Sequence, residues 1–189
     1  LAFDPERVLA VDLNETGLYE LQAESHMRSG TESLAVRVAD VTDAQEITAL
    51  CNRYRPAVVF HAAAYKHVPL MESHPRTVLR TNVVGTLNLV RAAGSAGAER
   101  FVLISTDKAV EPVSVYGVTK LLAEHVTARM AVESVTTLFT SVRFGNVLGS
   151  RGSVVPLFER QIAAGGPVTV THRDITRYYM TIPEAVRLV

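Results

Sequence analysis

Residues 101–120 constrain the fold of this chain more than any other stretch. Four consecutive apolar residues at 101–104 predict a parallel strand that is buried on both faces. Four polar residues, Ser-Thr-Asp-Lys at 105–108, follow directly. Because ligands bind just beyond the carboxyl ends of strands in an open parallel sheet, these polar side chains are predicted to lie at a binding edge.

A tyrosine and a lysine four residues apart follow this strand. Pro112 ends any early helix, and Tyr116 is predicted to open an amphipathic one, so that Tyr116 and Lys120 share a helix face. A cation beside a phenol favours the phenolate and makes tyrosine a usable proton-transfer group. The alternative is a surface tyrosine beside a solvated lysine. The preceding strand and its polar end favour the proton-transfer pair.

Two short strings give the chain a family resemblance. Tyr-Gly-x-Thr-Lys at 116–120 resembles the extended short-chain dehydrogenase/reductase family, and Ser-Thr-Asp-Lys-Ala at 105–109 resembles its nucleotide-sugar 4,6-dehydratases of polysaccharide biosynthesis. The dehydratases concerned act notably on UDP-N-acetylglucosamine. The resemblance implies a Rossmann-like α/β fold with a doubly wound parallel sheet. It also implies NADP (or NAD) as the cofactor and a UDP-sugar as the substrate.

The resemblance also implies a role for each catalytic residue. Tyr116, with Lys120 beside it, would handle the proton of the sugar C4 hydroxyl, and Thr106 would hydrogen-bond the C4 oxygen. Asp107 would protonate the leaving C6 hydroxyl, while Lys108 would take the C5 proton. The alternative for the last two residues is a solvated turn pair. A 4-epimerase or a simple reductase on the same fold is an alternative, and epimerases of this group commonly lack the Asp-Lys pair. A non-catalytic nucleotide-binding domain is a further alternative.

Further strands are predicted at 7–12, 34–40, 57–64 and 136–143, and their ends place further candidate residues at the same edge of the sheet. Helices are predicted at 44–54, at 72–97 (or begun again after Pro75) and after Ser153. The residues that the resemblance implies for cofactor contacts are Asp12, Asn14, Asp40, Val41, Ala62, Ala63, Ala64, Lys66, Asn82, Tyr116, Lys120, Phe144, Asn146 and Val147. Those for the substrate are Lys66, Asp107, Lys108, Tyr116, Asn146, Thr171 and Arg177.

Several of these residues have plainer interpretations. The side chains of Asn14 and Asp40 are also typical helix caps, as is that of Asp43. Lys66 could be simply solvated. Asn82 is unfavourable within a helix, which favours a structural or proton-relay amide near the site over direct chemistry. An apolar stripe of Val118, Leu122, Val126 and Met130 and a short strand at 167–171 complete the predictions for the C-terminal half.

A dinucleotide-binding fold normally opens with a strand and a glycine-rich turn. No G-x-G-x-x-G string occurs in the 189 residues. We therefore expect a Rossmann-like fold that lacks the first strand and this turn. Residues 1–149 would form the N-terminally incomplete dinucleotide-binding domain, and residues 150–189 would form the start of a small substrate-binding lobe interleaved with it.

Composition narrows the remaining function classes. The formal net charge is zero, which gives no basic excess to favour nucleic acid. The lone Cys51 is predicted to be a core thiol, and the histidine spacing indicates no metal site. No apolar run approaches the roughly 20 residues of a membrane span. We expect a cytoplasmic homo-oligomer, or the cytoplasmic domain of a parent protein anchored through segments outside this chain.

Overall fold

The computed structural model describes residues 5–29, 33–149, 154–170 and 172–189. Strands and helices alternate along most of this length, which confirms the α/β class. The strands are β1 (Val8–Asp12), β2 (Leu34–Val38), β3 (Val58–His61), β4 (Arg100–Thr106), β5 (Leu138–Phe144), β6 (Asn146–Val147) and β7 (Tyr179–Met180). The helices are α1 (Glu15–Ser29), α2 (Ala44–Tyr54), α3 (Val68–Glu72), α4 (Pro75–Leu79), α5 (Thr86–Ser95), α6 (Val115–Glu133), α7 (Val154–Ala163) and α8 (Ile182–Arg187).

All the strand pairs among the described residues are parallel. The strand β4 lies between β3 and β5, β1 pairs with β2, and β6 pairs with β7. The strands β1 and β3 do not pair with each other. A cavity of ≈ 510 Å³ is lined by β1, by α1 and by Phe60 of β3, whose side chain is 59% exposed. The parallel arrangement of the strands is therefore as predicted, and this cavity lies beside β1.

The core lies where α5 and α6 pack on the three-stranded sheet. Its centre is an aromatic pair, Phe101 of β4 and Phe139 of β5, whose ring centroids are 5.4 Å apart. The other buried members of this cluster are Val90, Ala93, Ala98, Leu103 and Ala123. A second cluster joins α2 to α5 through Ile47, Cys51 and Ala92. Cys51 is buried, as predicted, and burial raises the pKa of its thiol.

The predicted helix at 72–97 is divided in the structure. A short helix, α3, ends at Glu72, and the helix proper restarts at Pro75, since proline is favourable in a first turn. A π-helical segment, Arg80–Gly85, then separates α4 from α5. Of the two versions given by the sequence, the restart after Pro75 is the correct one. The π-helical segment was not predicted.

Two other predictions are wrong. Residues 167–170 form no strand: the side chain of Gln161 in α7 bonds both the backbone nitrogen (3.1 Å) and the hydroxyl (3.0 Å) of Thr169, so that these groups pair with a side chain instead of a neighbouring strand. In α6, Val118 and Leu122 are exposed, and only Val126 and Met130 of the stripe pack against the core. The buried face of α6 contains small and polar residues instead. Ser153 lies outside the described residues.

Candidate active site

The end of β4 brings together three of the predicted catalytic residues. The strand extends through Thr106, two residues further than predicted, and passes into a single 3₁₀ turn, Asp107–Ala109. The Thr106 hydroxyl caps this turn, accepting from the Lys108 backbone nitrogen and donating to Asp107 Oδ1 at 3.0 Å. Lys108 Nζ donates to the same Asp107 oxygen at 2.9 Å and to Asn146 Oδ1 at 3.1 Å. Thr106, Asp107, Lys108 and Asn146 thus form one hydrogen-bonded group.

The Asp107–Lys108 contact is an ion pair. Burial raises the pKa of Asp107, but the hydrogen bonds from Lys108 and Thr106 and the lysine charge outweigh this effect and hold the pKa below its usual value. The Asp107 side chain is 26% exposed and that of Lys108 is 34% exposed, so the pair is accessible. At neutral pH the carboxylate is therefore ionised.

The first turns of α6 place Tyr116 and Lys120 beside this group. The helix begins at Val115 because Ser114 Oγ accepts from the Gly117 backbone nitrogen (3.1 Å), while Glu72 Oε1 accepts from the backbone nitrogen of Val115 (2.8 Å). Tyr116 is 8% exposed and Lys120 is 3% exposed, so the surface alternative for this pair is wrong.

Contacts with β4 hold both side chains. Lys120 Nζ donates to the carbonyl oxygen of Ile104 at 2.7 Å, and the Tyr116 phenol interacts with the Thr106 hydroxyl. The structure therefore brings together all five predicted catalytic residues: Thr106, Asp107, Lys108, Tyr116 and Lys120.

The electrostatics of the Tyr116–Lys120 pair differ from the expectation. Burial lowers the pKa of Lys120 to about 8, and the nearby Glu124 carboxylate opposes this shift. Burial raises the pKa of Tyr116 above its usual value, and its hydrogen bond with Thr106 only partly offsets the effect. A depressed tyrosine pKa was expected, but the desolvation of the phenolate is the larger influence in this structure.

Asn82 lies in the π-helical segment and is 1% exposed. Its Oδ1 accepts from the backbone nitrogen of Tyr65 at 2.9 Å, while its Nδ2 donates to the Tyr65 carbonyl oxygen and to Thr119 Oγ1, both at 3.1 Å. The amide therefore joins the loop after β3 to the helix that carries Tyr116. These contacts are of the backbone-bonding kind expected for a structural amide.

The predicted adenosine contacts lie at the ends of β1 and β2. Asp12 is exposed and accepts from the backbone nitrogen of Asn14 at 2.9 Å, while Asn14 Oδ1 accepts from that of Gly17 at 3.1 Å near the start of α1. Asp40 binds the backbone nitrogen of Thr42 within its own turn, and Asp43 is the cap of α2. The cap alternative is thus correct for Asp43 and wrong for Asp40.

The remaining cofactor candidates lie after β2 and β3, at the end of β5 and in β6. Ala62, Ala63 and Lys66 are exposed, whereas Ala64, Val41, Phe144, Asn146 and Val147 are partly buried. Gly145, between β5 and β6, allows a close backbone approach within this chain, because an added Cβ would meet the Tyr178 carbonyl oxygen. This approach lets β6 pair with β7 and holds Asn146 in place.

Of the two C-terminal substrate candidates, only Arg177 lies among the described residues. Arg177 is exposed, and its Nη1 donates to the carbonyl oxygen of Thr176 at 2.7 Å. Thr171 lies outside the described residues. No cluster of three or more possible metal ligands occurs in the described ranges. None of the described helices is long and apolar enough to cross a membrane.

A protein-family comparison decides the relationship. The family described as "Polysaccharide biosynthesis protein" matches residues 1–189. The chain belongs to the polysaccharide biosynthesis protein family. The predicted resemblance is confirmed. Solved structures that share the fold include a "UDP-Glucose 4-Epimerase" of Thermotoga maritima and a "dTDP-glucose 4,6-dehydratase" of Streptomyces venezuelae, which are 23% and 21% identical, with TM-scores of 0.83 and 0.81.

Relatives within and near the polysaccharide biosynthesis family carry several names. The chain is 49% identical over its whole length to "Probable polysaccharide biosynthesis protein EpsC" of Bacillus subtilis, covering 31% of that protein. It is 32% identical over 99% of its length to the "UDP-N-acetylglucosamine 4,6-dehydratase (inverting)" of Campylobacter jejuni, covering 55% of it. It is 45% identical over 69% of its length to a "UDP-glucose 4-epimerase" of Rickettsia canadensis, covering 39% of it.

A solved structure supports the fold of this family member. "Pen from Bacillus thuringiensis" is 35% identical and superposes with a TM-score of 0.91 over 97% of this chain and 56% of that one. The chain therefore spans from about a third to about two thirds of the proteins named here.

One residue of the site was missed from the sequence. Glu124, four residues after Lys120 on the same helix, binds Ser105 and Arg143, and Ser105 points to it instead of to Tyr116. The repeated spacing of Tyr116, Lys120 and Glu124 was a usable signal, since residues four apart share a helix face.

Proposed function

We propose that this chain carries catalytic machinery of an NADP-dependent nucleotide-sugar 4,6-dehydratase. Its substrate would be of the UDP-N-acetylglucosamine type, and its product a 4-keto-6-deoxy sugar for surface polysaccharide or glycan synthesis. The observation that carries the proposal is the Asp107–Lys108 pair, held at the end of β4 by Thr106 and Asn146 beside Tyr116. Elimination of water needs an acid and a base at once, and this pair supplies both.

Tyr116 would remove the proton of the C4 hydroxyl. Burial raises the pKa of its phenol, and the hydrogen bond with Thr106 only partly offsets this. The removal would therefore also depend on the ammonium group of Lys120, one turn along the same helix. Lys120 is fixed by the Ile104 carbonyl oxygen. Thr106 would also hydrogen-bond the C4 oxygen.

Asp107 and Lys108 would carry out the elimination across C5 and C6. Their proposed roles require a protonated Asp107 and a neutral Lys108, whereas the structure contains the ion pair. The 2.9 Å contact from Lys108 Nζ to Asp107 Oδ1 offers a direct path for the proton. A substrate that covers the pair would favour this transfer, because loss of water disfavours charged groups.

The residues at the strand ends fit a nicotinamide dinucleotide in part. The exposed carboxylate of Asp12 suits an adenosine ribose, and the small side chains of Ala62 and Ala63 leave the end of β3 open. The sequence has no glycine-rich turn for the pyrophosphate. When bound, such a cofactor would supply the hydride-transfer chemistry between C4 and C6 of the sugar. Asp40, Val41, Ala64, Asn82, Phe144 and Val147 would complete its contacts.

The nucleotide-sugar would lie against the C-terminal residues. Lys66, which follows β3, and Arg177 are the proposed contacts for its anionic part. Thr171 is a further proposed substrate contact, and Asn146 would serve both substrate and cofactor. Residues 1–149 would then form the dinucleotide-binding domain and residues 150–189 part of the substrate lobe. We propose that the protein acts in the cytoplasm as a homo-oligomer.

A 4-epimerase is the second candidate. The relative named a UDP-glucose 4-epimerase, 45% identical over 134 residues, favours it. An epimerase needs Tyr116 and Lys120 but no elimination pair. The two activities differ in product: an epimerase retains the C6 hydroxyl, whereas a dehydratase removes it. A non-catalytic nucleotide-binding role would leave both products unformed.

An Asp107→Asn substitution in the complete gene product tests the proposal. The amide keeps the size of the side chain but cannot deliver the proton, so we expect dehydration of UDP-N-acetylglucosamine to fall by ~10²–10⁴-fold. Oxidation at C4 should persist and be seen by trapping a 4-keto sugar that retains its C6 hydroxyl. Asp174→Asn, at an exposed turn, is the matched control. Dehydration at the parent rate in Asp107→Asn would refute the acid role.

A further inference from the structure

Glu124 links the helix that carries Tyr116 and Lys120 to two strands of the central sheet. Its Oε1 accepts hydrogen bonds from the Ser105 hydroxyl and from Arg143 Nε (2.9 Å), and its Oε2 accepts from Arg143 Nη2 at 2.7 Å. The Glu124 side chain is 13% exposed. Both carboxylate oxygens are thus engaged, one of them twice, in the forked geometry that gives arginine–carboxylate pairs their rigidity.

The two partners of Glu124 stand next to the candidate active site. Ser105 of β4 pairs directly with Arg143 of β5 in the parallel ladder. Ser105 precedes Thr106, and Arg143 is followed by the segment that leads to Asn146. One carboxylate therefore fixes α6 to the two strand ends that carry the hydrogen-bonded group.

Glu124 also acts on the charge of Lys120. The Lys120 ammonium group is buried against the Ile104 carbonyl oxygen, and burial lowers its pKa to about 8. The Glu124 carboxylate raises this pKa. Of the other ionisable groups, His61 on β3 interacts with the Lys120 charge, and Tyr116 lies one turn before Lys120 on α6. His61 is kept neutral because burial and the lysine charge lower its pKa to about 3.

We propose that Glu124 is a positioning residue of this site, which fixes α6 to β4 and β5 and keeps the Lys120 ammonium group charged. The inference rests on the proposed function only in assuming that Tyr116 depends on a charged Lys120. Glu124 contacts neither substrate nor cofactor in this scheme. It acts through Lys120 and through the position of the helix.

A lysine titration tests the charge effect without any need for turnover. In the complete gene product carrying ¹³C-labelled lysine, the resonance of Lys120 is assigned by its loss in Lys120→Met. Glu124→Gln removes the charge at constant size, and the pKa of Lys120 is expected to fall below its value in the parent protein. Glu133→Gln is the matched control, since it removes an exposed ion pair with Arg129 on the same helix. An unchanged Lys120 titration in Glu124→Gln would overturn the inference.

The pH profile gives a second readout. Tyr116 is supported while Lys120 is protonated, so kcat should decline as pH rises through the pKa of Lys120, and in Glu124→Gln this decline should begin at lower pH. KM should change little, because Glu124 does not touch the substrate. A protein without dehydratase turnover would contradict the proposed function, yet the titration would still decide the role of Glu124.

A second variant keeps the test decisive if Glu124→Gln fails to fold. Glu124→Asp retains the charge but shortens the reach to Arg143, so it should preserve most of the Lys120 pKa while lowering kcat. Thermal unfolding identifies a variant that has lost its structure. Glu124→Asp keeps a carboxylate at this position. If the pKa of Lys120 in this variant nevertheless falls well below its value in the parent protein, the charge role is wrong.

Discussion

Lys108 Nζ donates a hydrogen bond to Asn146 Oδ1 at 3.1 Å, across 38 residues of sequence. The contact joins the turn after β4 to β6, the short strand that follows β5. Asn146 is itself fixed, since its backbone nitrogen donates to the Tyr178 carbonyl oxygen at 2.7 Å. Lys108 thus has one partner on its own turn, Asp107, and one on a separate element. The position of the proposed base is set from both sides.

Asn146→Ala is expected to slow the elimination step. A hydrogen bond to a charged group contributes about 1.5–3 kcal/mol, so its loss should reduce the rate roughly 10- to 100-fold. Product formation by NMR of the 4-keto-6-deoxy sugar measures the effect. Asn52→Ala, exposed on α2, serves as the control. Equal rates for the two variants would show that Asn146 does not position Lys108.

Tyr116→Phe and Lys120→Ala should each impair oxidation at C4. General acid–base assistance is typically worth ~10²–10⁴ in rate, and a loss of that order is expected in both variants. Pre-steady-state absorbance of the reduced cofactor follows this step alone. Tyr19→Phe, 73% exposed on α1, is the matched control for the lost hydroxyl. A full-sized burst in both Tyr116→Phe and Lys120→Ala would exclude the proton-transfer role.

The sequence predicted the elements whose signals are local. The helix α2 begins and ends at the predicted residues, because Asp43 caps its start and Arg55, just before Pro56, adopts a left-handed conformation at its end. The apolar run of β4 and the spacing of Tyr116 and Lys120 were likewise enough to predict the five candidate catalytic residues that the structure brings together. Their chemical roles stay predictions.

The features that were missed depend on contacts distant in sequence. The π-helical segment coincides with the bonds of Asn82 to Tyr65 and Thr119, and no local propensity encodes those partners. The raised pKa of Tyr116 depends on burial, which the sequence does not report. Residues 167–170 alternate like a strand, but the side chain of Gln161 binds Thr169. The periodicity of the sequence could not reveal this contact.

The stability of the protein is expected to fall between neutral pH and pH 5 because of His61. Its Nε2 donates to Thr86 Oγ1 (2.9 Å), whose own proton goes to the Asn82 carbonyl oxygen (2.7 Å). Burial and Lys120 lower its pKa to about 3, against about 6.5 unfolded. The unfolded state therefore binds a proton that the folded state does not. The stabilisation is complete above pH 6.5 and is lost progressively as the pH falls toward 3.

At pH 5 this linkage is worth about 2 kcal/mol of unfolding free energy. Urea unfolding at pH 7.5 and at pH 5 measures this loss of unfolding free energy. The loss should be much smaller in His61→Gln. His125→Gln, exposed on α6, should retain it. The carboxylates whose pKa is lowered, such as Asp107 and Glu124, lose their contribution only at lower pH. A pH dependence that persists in full in His61→Gln would contradict the assignment.

A pair of glycine substitutions tests how tightly the start of α6 is packed. A Cβ added to Gly117 would meet the Lys108 carbonyl oxygen and approach Pro112 Cβ at 3.0 Å. Because the first of these is backbone, Gly117→Ala must displace α6 from the turn that carries Lys108, and it should cost about 1–3 kcal/mol of unfolding free energy. Activity should fall with it, since Tyr116 and Lys108 would move apart.

Gly94→Ala is the matched control. Gly94 lies in α5, and its added Cβ would meet only the Phe139 ring, at an ordinary 3.6 Å. Alanine is the better helix former, so this variant should gain about 0.5–1 kcal/mol. Urea unfolding of the two variants side by side separates steric conflict from helix propensity. If Gly117→Ala were as stable as Gly94→Ala, with unchanged turnover, the close approach of α6 to the Lys108 turn would not be needed to hold the site together.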